Sequence, residues 1–459
     1  MKNKNYVNLD VNPCKMCMPL GSALAIKGIE GAMVMMHGSQ GCSTYMRRHI
    51  STHYNEPVDI ASSSLNEKGT VYGGAANLKK GITNLLKMYT PKIIGIATTC
   101  LAETIGEDID RIIEEYKKEE NIEGVEFVTV STPGYGGSQY EGYYKSLRRV
   151  VEKLSKKSGK TNNKINIIAS LMSPADVREL KYIIEQFKID AVILPDISET
   201  LDAPYVKGRY NRIPEGGTKI EEIVSMGDST ATIEMGYFVE GQISPGTYLS
   251  ETFGVPLYKC KTPIGISNSD KFIKLLSKIS NKEIPESLKK ERGRALDAMI
   301  DSHKYNGEGK AAIFGEPELL TALYDLLNEN GIEIKAVATG TRVAGFEHKL
   351  ISGMSIKNIS NPVILEDSDF NSLKDVVLKN NVNVLIGTSE GAFIEEKHGI
   401  PLVRTGFPVH DRVGTTREIN IGYRGSIMFL DKITNTLLDK KYSTYRERMY
   451  TNYYEGGAK

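Results

Sequence analysis

The chain has few cysteines, almost no net charge and no long apolar run, and each shortage excludes a class of protein. Five cysteines in 459 residues do not make a disulfide framework, and the odd number argues against complete pairing. A formal net charge of +1 gives no overall field that would attract nucleic acid or an anionic membrane, so neither is expected as a partner. No apolar run approaches the roughly 18 residues of a membrane span.

Tryptophan is absent as well, which reflects the composition of the genome more than any chemical requirement. Residues 1–6 lack the apolar core of a signal peptide. We therefore expect a cytoplasmic protein, in a reducing compartment where thiolates stay available to bind metal.

The dominant pattern is a short apolar run followed by a helical stretch with 3.6-residue spacing. Runs typical of buried strands occupy residues 92–97, 125–130, 165–169, 191–194, 311–314, 334–338 and 382–386. Helical stretches occupy residues 104–118, 173–186, 317–329 and 425–439. This alternation predicts parallel sheets covered by helices on both faces. We predict an α/β protein made of three Rossmann-like modules, because one sheet would not use so many units.

Two polar segments suggest where the modules are joined. The clearest linker is the Lys-, Ser- and Asn-rich stretch 156–164, and a second boundary falls at residues 306–310. The predicted domains are therefore a first Rossmann-like domain over 1–155, a second α/β domain over 164–305, and a third over 310–459 with a C-terminal helix.

Three cysteines occupy settings that suit an iron–sulfur ligand better than a packed thiol. Cys17 lies in a Pro-x-x-x-Cys-x-Pro segment, and Cys42 ends the run His-Gly-Ser-Gln-Gly-Cys. Cys100 closes an apolar run, at the carboxyl end of a predicted parallel strand, where α/β proteins place ligands. Gly38 and Gly41, which precede Cys42, let the backbone approach a bulky inorganic group closely. Because thiolates are the usual ligands of such clusters, Cys17, Cys42 and Cys100 are the candidate metal ligands.

The sequence leaves other interpretations of the cysteines open. Cys42 also suits an ordinary strand-to-helix turn with a buried thiol. Cys14 and Cys17 form a Cys-x-x-Cys pair, which alone suits a zinc half-site or a redox pair. Cys260 suits a small buried hydrophobic residue. No Ser-His-Asp order, phosphate-binding Gly-x-x-x-x-Gly-Lys loop or His-Glu-x-x-His motif is present, and no catalytic residue is predicted.

Together these segments resemble the nitrogenase component 1 family, in particular its beta-type chains. The three cysteines match the family's Pro-x-x-x-Cys-x-Pro, His-Gly-Ser-Gln-Gly-Cys and Thr-Thr-Cys motifs. Segments 101–108, 213–218, 261–265, 404–408 and 422–425 are also similar to the family's pattern. The resemblance covers almost the whole chain.

The resemblance implies an α₂β₂ assembly with an alpha-type chain, of the E-type or the D-type. An iron–sulfur cluster, P-cluster-like 8Fe–7S or 4Fe–4S, would lie at the interface of the two chains, with Cys17, Cys42 and Cys100 as this chain's ligands. An iron protein would dock transiently and deliver electrons with ATP hydrolysis. The active-site cofactor would be held by the alpha-type chain.

Departures from the family's pattern bear on the role of the chain. Residues 43–48, Ser-Thr-Tyr-Met-Arg-Arg, look more like the N-type assembly scaffold than the catalytic beta subunit. The catalytic chain also carries a serine after Thr-Pro that can bind iron, whereas Gly134 stands here; Ser138 is not assigned that role. We therefore expect a scaffold for FeMo-cofactor biosynthesis in nitrogen fixation. The alternative is the beta subunit of a catalytic nitrogenase or nitrogenase-like reductase that passes electrons to the alpha-chain cofactor.

Overall fold

The computed structural model describes residues 14–208, 211–352 and 361–455, which form three parallel β-sheets flanked by helices. Residues 1–13 lie outside the described ranges. They include Pro13, the first position of the Pro-x-x-x-Cys-x-Pro segment, and the residues on which the absence of a signal peptide was predicted. Within those ranges, no helix is both long enough and apolar enough to cross a membrane.

The first sheet follows the amino-terminal helix. Its strands are β1 (Ala32–His37), β2 (Ile60–Ser62), β3 (Ile93–Thr98) and β4 (Glu126–Val130). Its helices are α1 (Met18–Lys27), α2 (Gln40–Tyr54), α3 (Glu67–Tyr72), α4 (Ala75–Met88), α5 (Cys100–Ile105), α6 (Ile109–Glu119) and α7 (Gln139–Leu154). The strand order is β2-β1-β3-β4, with every neighbour parallel. Every residue of β1 and β3 is buried, as helix cover on both faces requires.

The second sheet is built in the same way. Its strands are β5 (Ile165–Ile168), β6 (Ala191–Leu194), β7 (Ala231–Glu234) and β8 (Leu257–Lys259), in the order β6-β5-β7-β8. Its helices are α8 (Pro174–Phe187), α9 (Ile220–Val224), α10 (Pro245–Phe253), α11 (Ile266–Ser280) and α12 (Glu286–Asn306). All its strand pairs are parallel.

The third sheet has five strands in the order β11-β10-β9-β12-β13, again all parallel. The strands are β9 (Lys310–Phe314), β10 (Glu333–Ala338), β11 (Val363–Leu365), β12 (Val384–Gly387) and β13 (Leu402–Arg404). The helices are α13 (Pro317–Glu329), α14 (Phe346–Ser352), α15 (Phe370–Lys379), α16 (Ala392–His398) and α17 (Gly422–Tyr450). The predicted α/β fold with parallel, helix-flanked sheets is thus confirmed.

Capping residues fix the start of the helices that lead away from two sheets. Ser173 accepts a hydrogen bond from the Asp176 amide at 2.9 Å, and the Asp176 carboxylate accepts one from the Ser173 amide at 3.2 Å. Ser138 and Glu141 form the same reciprocal arrangement at the start of α7. Each capping box satisfies amide groups that a helix start otherwise leaves unpaired.

One predicted helix, over residues 104–118, is wrong as a single element. The chain forms α5 and α6 instead, because Gly106 adopts a left-handed conformation with φ of 71° and ends α5. Asp108 then caps α6 by accepting a hydrogen bond from the Arg111 amide at 3.0 Å. The break places Glu107 in a loop, where it takes part in the site described below.

Buried side chains from all three sheets join in one core. Val34 of β1, Ile167 of β5 and Ile313 of β9 belong to the same contiguous cluster of buried apolar residues. The three sheets fall within the residue ranges predicted for the three domains. The domain limits themselves, near residues 155–164 and 305–310, stay predictions.

Candidate cluster-binding site

Two of the candidate cysteines lie at the carboxyl edge of the first sheet. The neighbouring strands β1 and β3 end in register at His37 and Thr98. Cys42 falls in the first turn of the helix that follows β1, and Cys100 is the first residue of the helix that follows β3. Both cysteines therefore lie in the first turn of a helix, at the sheet edge where α/β proteins place ligands.

Cys17 reaches the same edge from the amino-terminal side. It is the N-cap residue of α1, and its backbone pairs with Ser138 in an isolated antiparallel bridge. That bridge brings the start of α1 beside the loop that follows β4.

A glycine in that loop faces two of the sulfurs. The Gly134 amide donates a hydrogen bond to Cys100 Sγ at 3.0 Å. A Cβ at Gly134 would stand 2.7 Å from Cys17 Sγ and 3.2 Å from Cys100 Sγ. The two sulfurs therefore converge on one point of backbone, and the absence of a side chain there leaves room beside them for a bulky group.

The third sulfur, that of Cys42, lies within electrostatic range of Cys17. Burial, and to a smaller extent the charges of Cys100 and Cys42, raise the pKa of Cys17 to about 11. Cys42 Sγ accepts a hydrogen bond from Ser39 Oγ at 3.6 Å. Three thiolates held this near repel one another, and bound cations relieve that repulsion. This donor set therefore fits an iron–sulfur group.

The other two cysteines take no part in this arrangement. Cys14 is buried among apolar side chains of the third sheet, such as Phe314 and Leu385, and burial raises its pKa strongly. Cys260 packs against the main core, and burial raises its pKa to about 12. The Cys-x-x-Cys pair is thus divided between two environments, which disfavours both the zinc and the redox interpretations.

The described residues contain no group of three His, Cys, Asp or Glu side chains placed to hold a single metal ion. The three thiols are therefore not a mononuclear site by themselves. Cys100 is exposed, whereas Cys17 and Cys42 are half-buried, so the thiols open toward solvent.

A buried histidine ties the Cys42 loop to the segment after Cys100. His37 Nε2 lies 2.8 Å from Glu107 Oε2, and His37 Nδ1 lies 2.9 Å from Ser63 Oγ. Glu107 also accepts a hydrogen bond from the Gly74 amide. Burial lowers the pKa of His37, an effect that the Glu107 carboxylate opposes. The sequence analysis missed this pair, whose members are 70 residues apart.

The Ser138 hydroxyl bonds other side chains, which agrees with leaving Ser138 out of the ligand set. Its hydroxyl bonds the Glu141 carboxylate at 2.5 Å and Thr341 Oγ1 at 2.7 Å. The hydroxyl therefore serves the start of α7 and its contact with the third module.

Large apolar side chains are exposed close to the thiols. Tyr135, next to Gly134, is 68% exposed. Val71 and Tyr72, at the end of the short helix α3 that packs on α5, are 73% and 82% exposed. Exposed apolar groups around a polar site typically mark an interaction surface.

Fold and site together define an α/β protein whose first sheet presents three thiols suited to an iron–sulfur group. A family model described as nitrogenase component 1 type oxidoreductase matches residues 17–438. The chain belongs to this family.

Individual relatives extend over almost the whole chain. The chain is 37% identical to a nitrogenase molybdenum-iron protein beta chain of Clostridium pasteurianum over 94% of each chain. It is 35% identical to the corresponding chain of Methanococcus maripaludis, covering 95% of this chain and 96% of that one. It is also 35% identical to a nitrogenase vanadium-iron protein beta chain of Trichormus variabilis, with the same coverage.

A solved structure described as "Nitrogenase Cp1 at pH 6.5" superposes with a TM-score of 0.90. That chain is 36% identical, and the match covers 95% of both chains. A second chain, described as "Nitrogenase Cp1 at pH 5", is 17% identical with a TM-score of 0.64 and shows likeness of fold alone.

Proposed function

We propose that this chain is the beta subunit of a catalytic nitrogenase component 1 or a nitrogenase-like reductase. The observation that carries the proposal is full-length similarity to chains named as beta chains of molybdenum-iron and vanadium-iron nitrogenases. These relatives favour the alternative drawn from the sequence over the leading expectation of an assembly scaffold. The departures at residues 43–48 and at Gly134 do not offset a match of this extent.

In this role, Cys17, Cys42 and Cys100 hold an iron–sulfur cluster that is shared with an alpha-type chain. Such a cluster supplies one-electron transfer. The chain keeps three thiols at one sheet edge, two of them in the first turn of a helix. The Gly134 amide donates to Cys100 Sγ, and hydrogen bonds of this kind tune the potential of a sulfur-ligated group.

The partner covers the thiols. Cys100 is exposed, and the exposed side chains of Val71, Tyr72 and Tyr135 add apolar surface that an alpha-type chain would bury. For a catalytic complex the D-type alpha chain is the fitting partner. The assembly is then an α₂β₂ heterotetramer on which an iron protein docks.

Gly134 gives this chain a ligand set without an oxygen. A serine at this position would bring a hydroxyl between Cys17 and Cys100, but glycine supplies only its amide. The beta-side ligation proposed here is therefore by thiolate alone.

One experiment separates the catalytic role from the scaffold role. The chain is co-expressed with its alpha-type partner and the assembly proteins, purified without oxygen, and supplied with iron protein and ATP. Acetylene reduction and rescue of cofactor-free nitrogenase are then assayed side by side. Fast reduction without rescue is the expected result. Rescue with little reduction would show a scaffold and overturn the proposal.

A further inference from the structure

A cavity lies at the end of α2 that is farther from Cys42. The cavity, of about 60 Å³, opens where the end of α2 meets segments of the second and third modules. His53 and Tyr54 line it from α2, Leu171 from the segment before α8, and Thr405 and Thr415 from the third module. At 1.5 Å of rise per residue, the cavity lies roughly 16 Å along the helix from Cys42. The cysteines do not line it.

The cavity is large enough for a small molecule. One water needs about 10–15 Å³ of such space, so the volume of about 60 Å³ has room for about four waters. Slightly more than half of its wall is apolar, with Leu171, Ile264, Leu319 and Phe407 among the lining residues.

Two polar groups in the wall have hydrogen-bonding capacity that the protein leaves unused. The Thr415 side chain is 8% exposed, and its hydroxyl is buried without a partner among the described residues. His53 Nδ1 lies 2.9 Å from the Val409 amide nitrogen and 3.2 Å from the Val409 carbonyl oxygen. We assign the shorter contact as the amide donating to Nδ1, which puts the ring proton on Nε2. Burial lowers the pKa of His53 to about 4, so the ring is neutral. Buried polar groups normally find a partner.

The carboxylates at the cavity are already satisfied. Asp176 accepts hydrogen bonds from the amides of Asn420 at 2.6 Å and Ile421 at 3.2 Å. Glu418 pairs with Lys432 at 2.8 Å. The cavity therefore presents no unpaired charge, and its occupant must be neutral.

We propose that this cavity binds a small neutral molecule of about four to six non-hydrogen atoms, with an apolar body and one hydroxyl or carbonyl end. The oxygen bonds the Thr415 hydroxyl and accepts from His53 Nε2–H, and the body packs on Leu171, Ile264 and Leu319. The site is separate from the cysteine edge and does not depend on the proposed function.

The probe for the test is 2-fluoroethanol, which has the required size and a single hydroxyl. The assembled complex is titrated with the probe and followed by ¹⁹F NMR. We expect saturable binding with one site in this chain. Thr415→Val keeps the side-chain shape but removes the hydroxyl, and should weaken binding about fivefold. Leu319→Phe fills the cavity and should abolish binding.

Thr321→Val is the matched control, because the Thr321 hydroxyl is also buried without a partner but does not line the cavity. This variant should bind the probe as the unmodified chain does. A response that never saturates, or equal affinities of Thr415→Val and Thr321→Val, would overturn the proposal. The comparison of these two threonine variants decides the question even where Leu319→Phe does not fold.

Discussion

The amide of Gly134 donates a hydrogen bond to Cys100 Sγ over 3.0 Å, and the position of its missing Cβ lies only 2.7 Å from Cys17 Sγ. One residue of backbone thus faces both sulfurs. A Cβ contact shorter than 3.0 Å requires movement of the sulfur or of the loop. Gly134 therefore sets the separation between the loop after β4 and the proposed ligands.

Gly134→Ala tests this relationship without adding a polar atom. We expect the added methyl group to displace Cys17 and Cys100 and to lower iron content per complex by half or more. The matched control is Gly124→Ala, at a glycine with nothing within 4 Å of its missing Cβ. Its left-handed φ of 75° gives it a backbone cost of its own, so the control reports stability loss without crowding of the thiols. Equal iron content in Gly134→Ala and unmodified complexes would show that no cluster lies against this loop.

Cys100→Ala removes the most exposed of the proposed ligands. We expect loss of iron and weaker assembly with the alpha-type chain, since the cluster would bridge the two chains. Iron analysis and size-exclusion chromatography measure both effects. Cys260→Ala is the control: it should lower stability modestly, by roughly 1 kcal/mol, and leave the cluster spectrum unchanged. Unchanged iron in Cys100→Ala, or a lost cluster signal in Cys260→Ala, would mean that the ligand set is wrong.

Glu107→Ala removes the shared partner of His37 and of the Gly74 amide. A buried imidazole N–H and a backbone amide then lose their acceptor, which should cost about 1–3 kcal/mol in unfolding free energy. We also expect an altered cluster spectrum, because His37 opens the loop that carries Cys42. Glu123→Ala, on the exposed surface, should change neither quantity. A spectrum identical to that of the unmodified complex would limit the His37–Glu107 pair to a purely structural role.

Glu316→Gln tests a buried carboxyl at the start of α13. Burial raises the pKa of Glu316 from 4.5 to about 8, and its Oε2 has no hydrogen-bond partner among the described residues. Because the folded chain holds this proton more tightly than the unfolded chain, the stability of the unmodified protein falls as pH rises from 4.5 to 8. Glutamine does not ionise. The variant should therefore gain stability over the unmodified chain as pH rises, by roughly 2–3 kcal/mol between pH 6 and 8.

Thermal unfolding at pH 6 and pH 8 measures this difference. A gain that is the same at both pH values would show that Glu316 does not titrate in this interval. Glu126→Gln, at an exposed carboxylate that begins β4, provides the control.

Local patterns predicted most of the regular structure. The buried strands β3 and β9 overlap the apolar runs predicted at residues 92–97 and 311–314. Helix α13 has the predicted bounds because Pro317 marks its first turn. The three-residue edge strands β2, β11 and β13 are too short to give a periodic signal. The break between α5 and α6 depended on one glycine whose conformation the spacing of apolar residues does not reveal.

The candidate site was only partly predictable. Cys42 and Cys100 follow strands whose carboxyl ends share one sheet edge, so their proximity follows from topology. The contact of Gly134 with both sulfurs and the pairing of His37 with Glu107 join residues far apart in sequence, and no local pattern encodes them. The role of the chain required its relatives, because the same cysteines serve a scaffold and a catalytic beta subunit equally well.

The most direct test of the central claim is an iron-edge anomalous diffraction map of the complex with its alpha-type chain, prepared without oxygen. Our account predicts an iron cluster within bonding distance of the sulfurs of Cys17, Cys42 and Cys100, beside Gly134 and covered by the partner. A map with no iron at this sheet edge, in a complex that contains iron elsewhere, would contradict it.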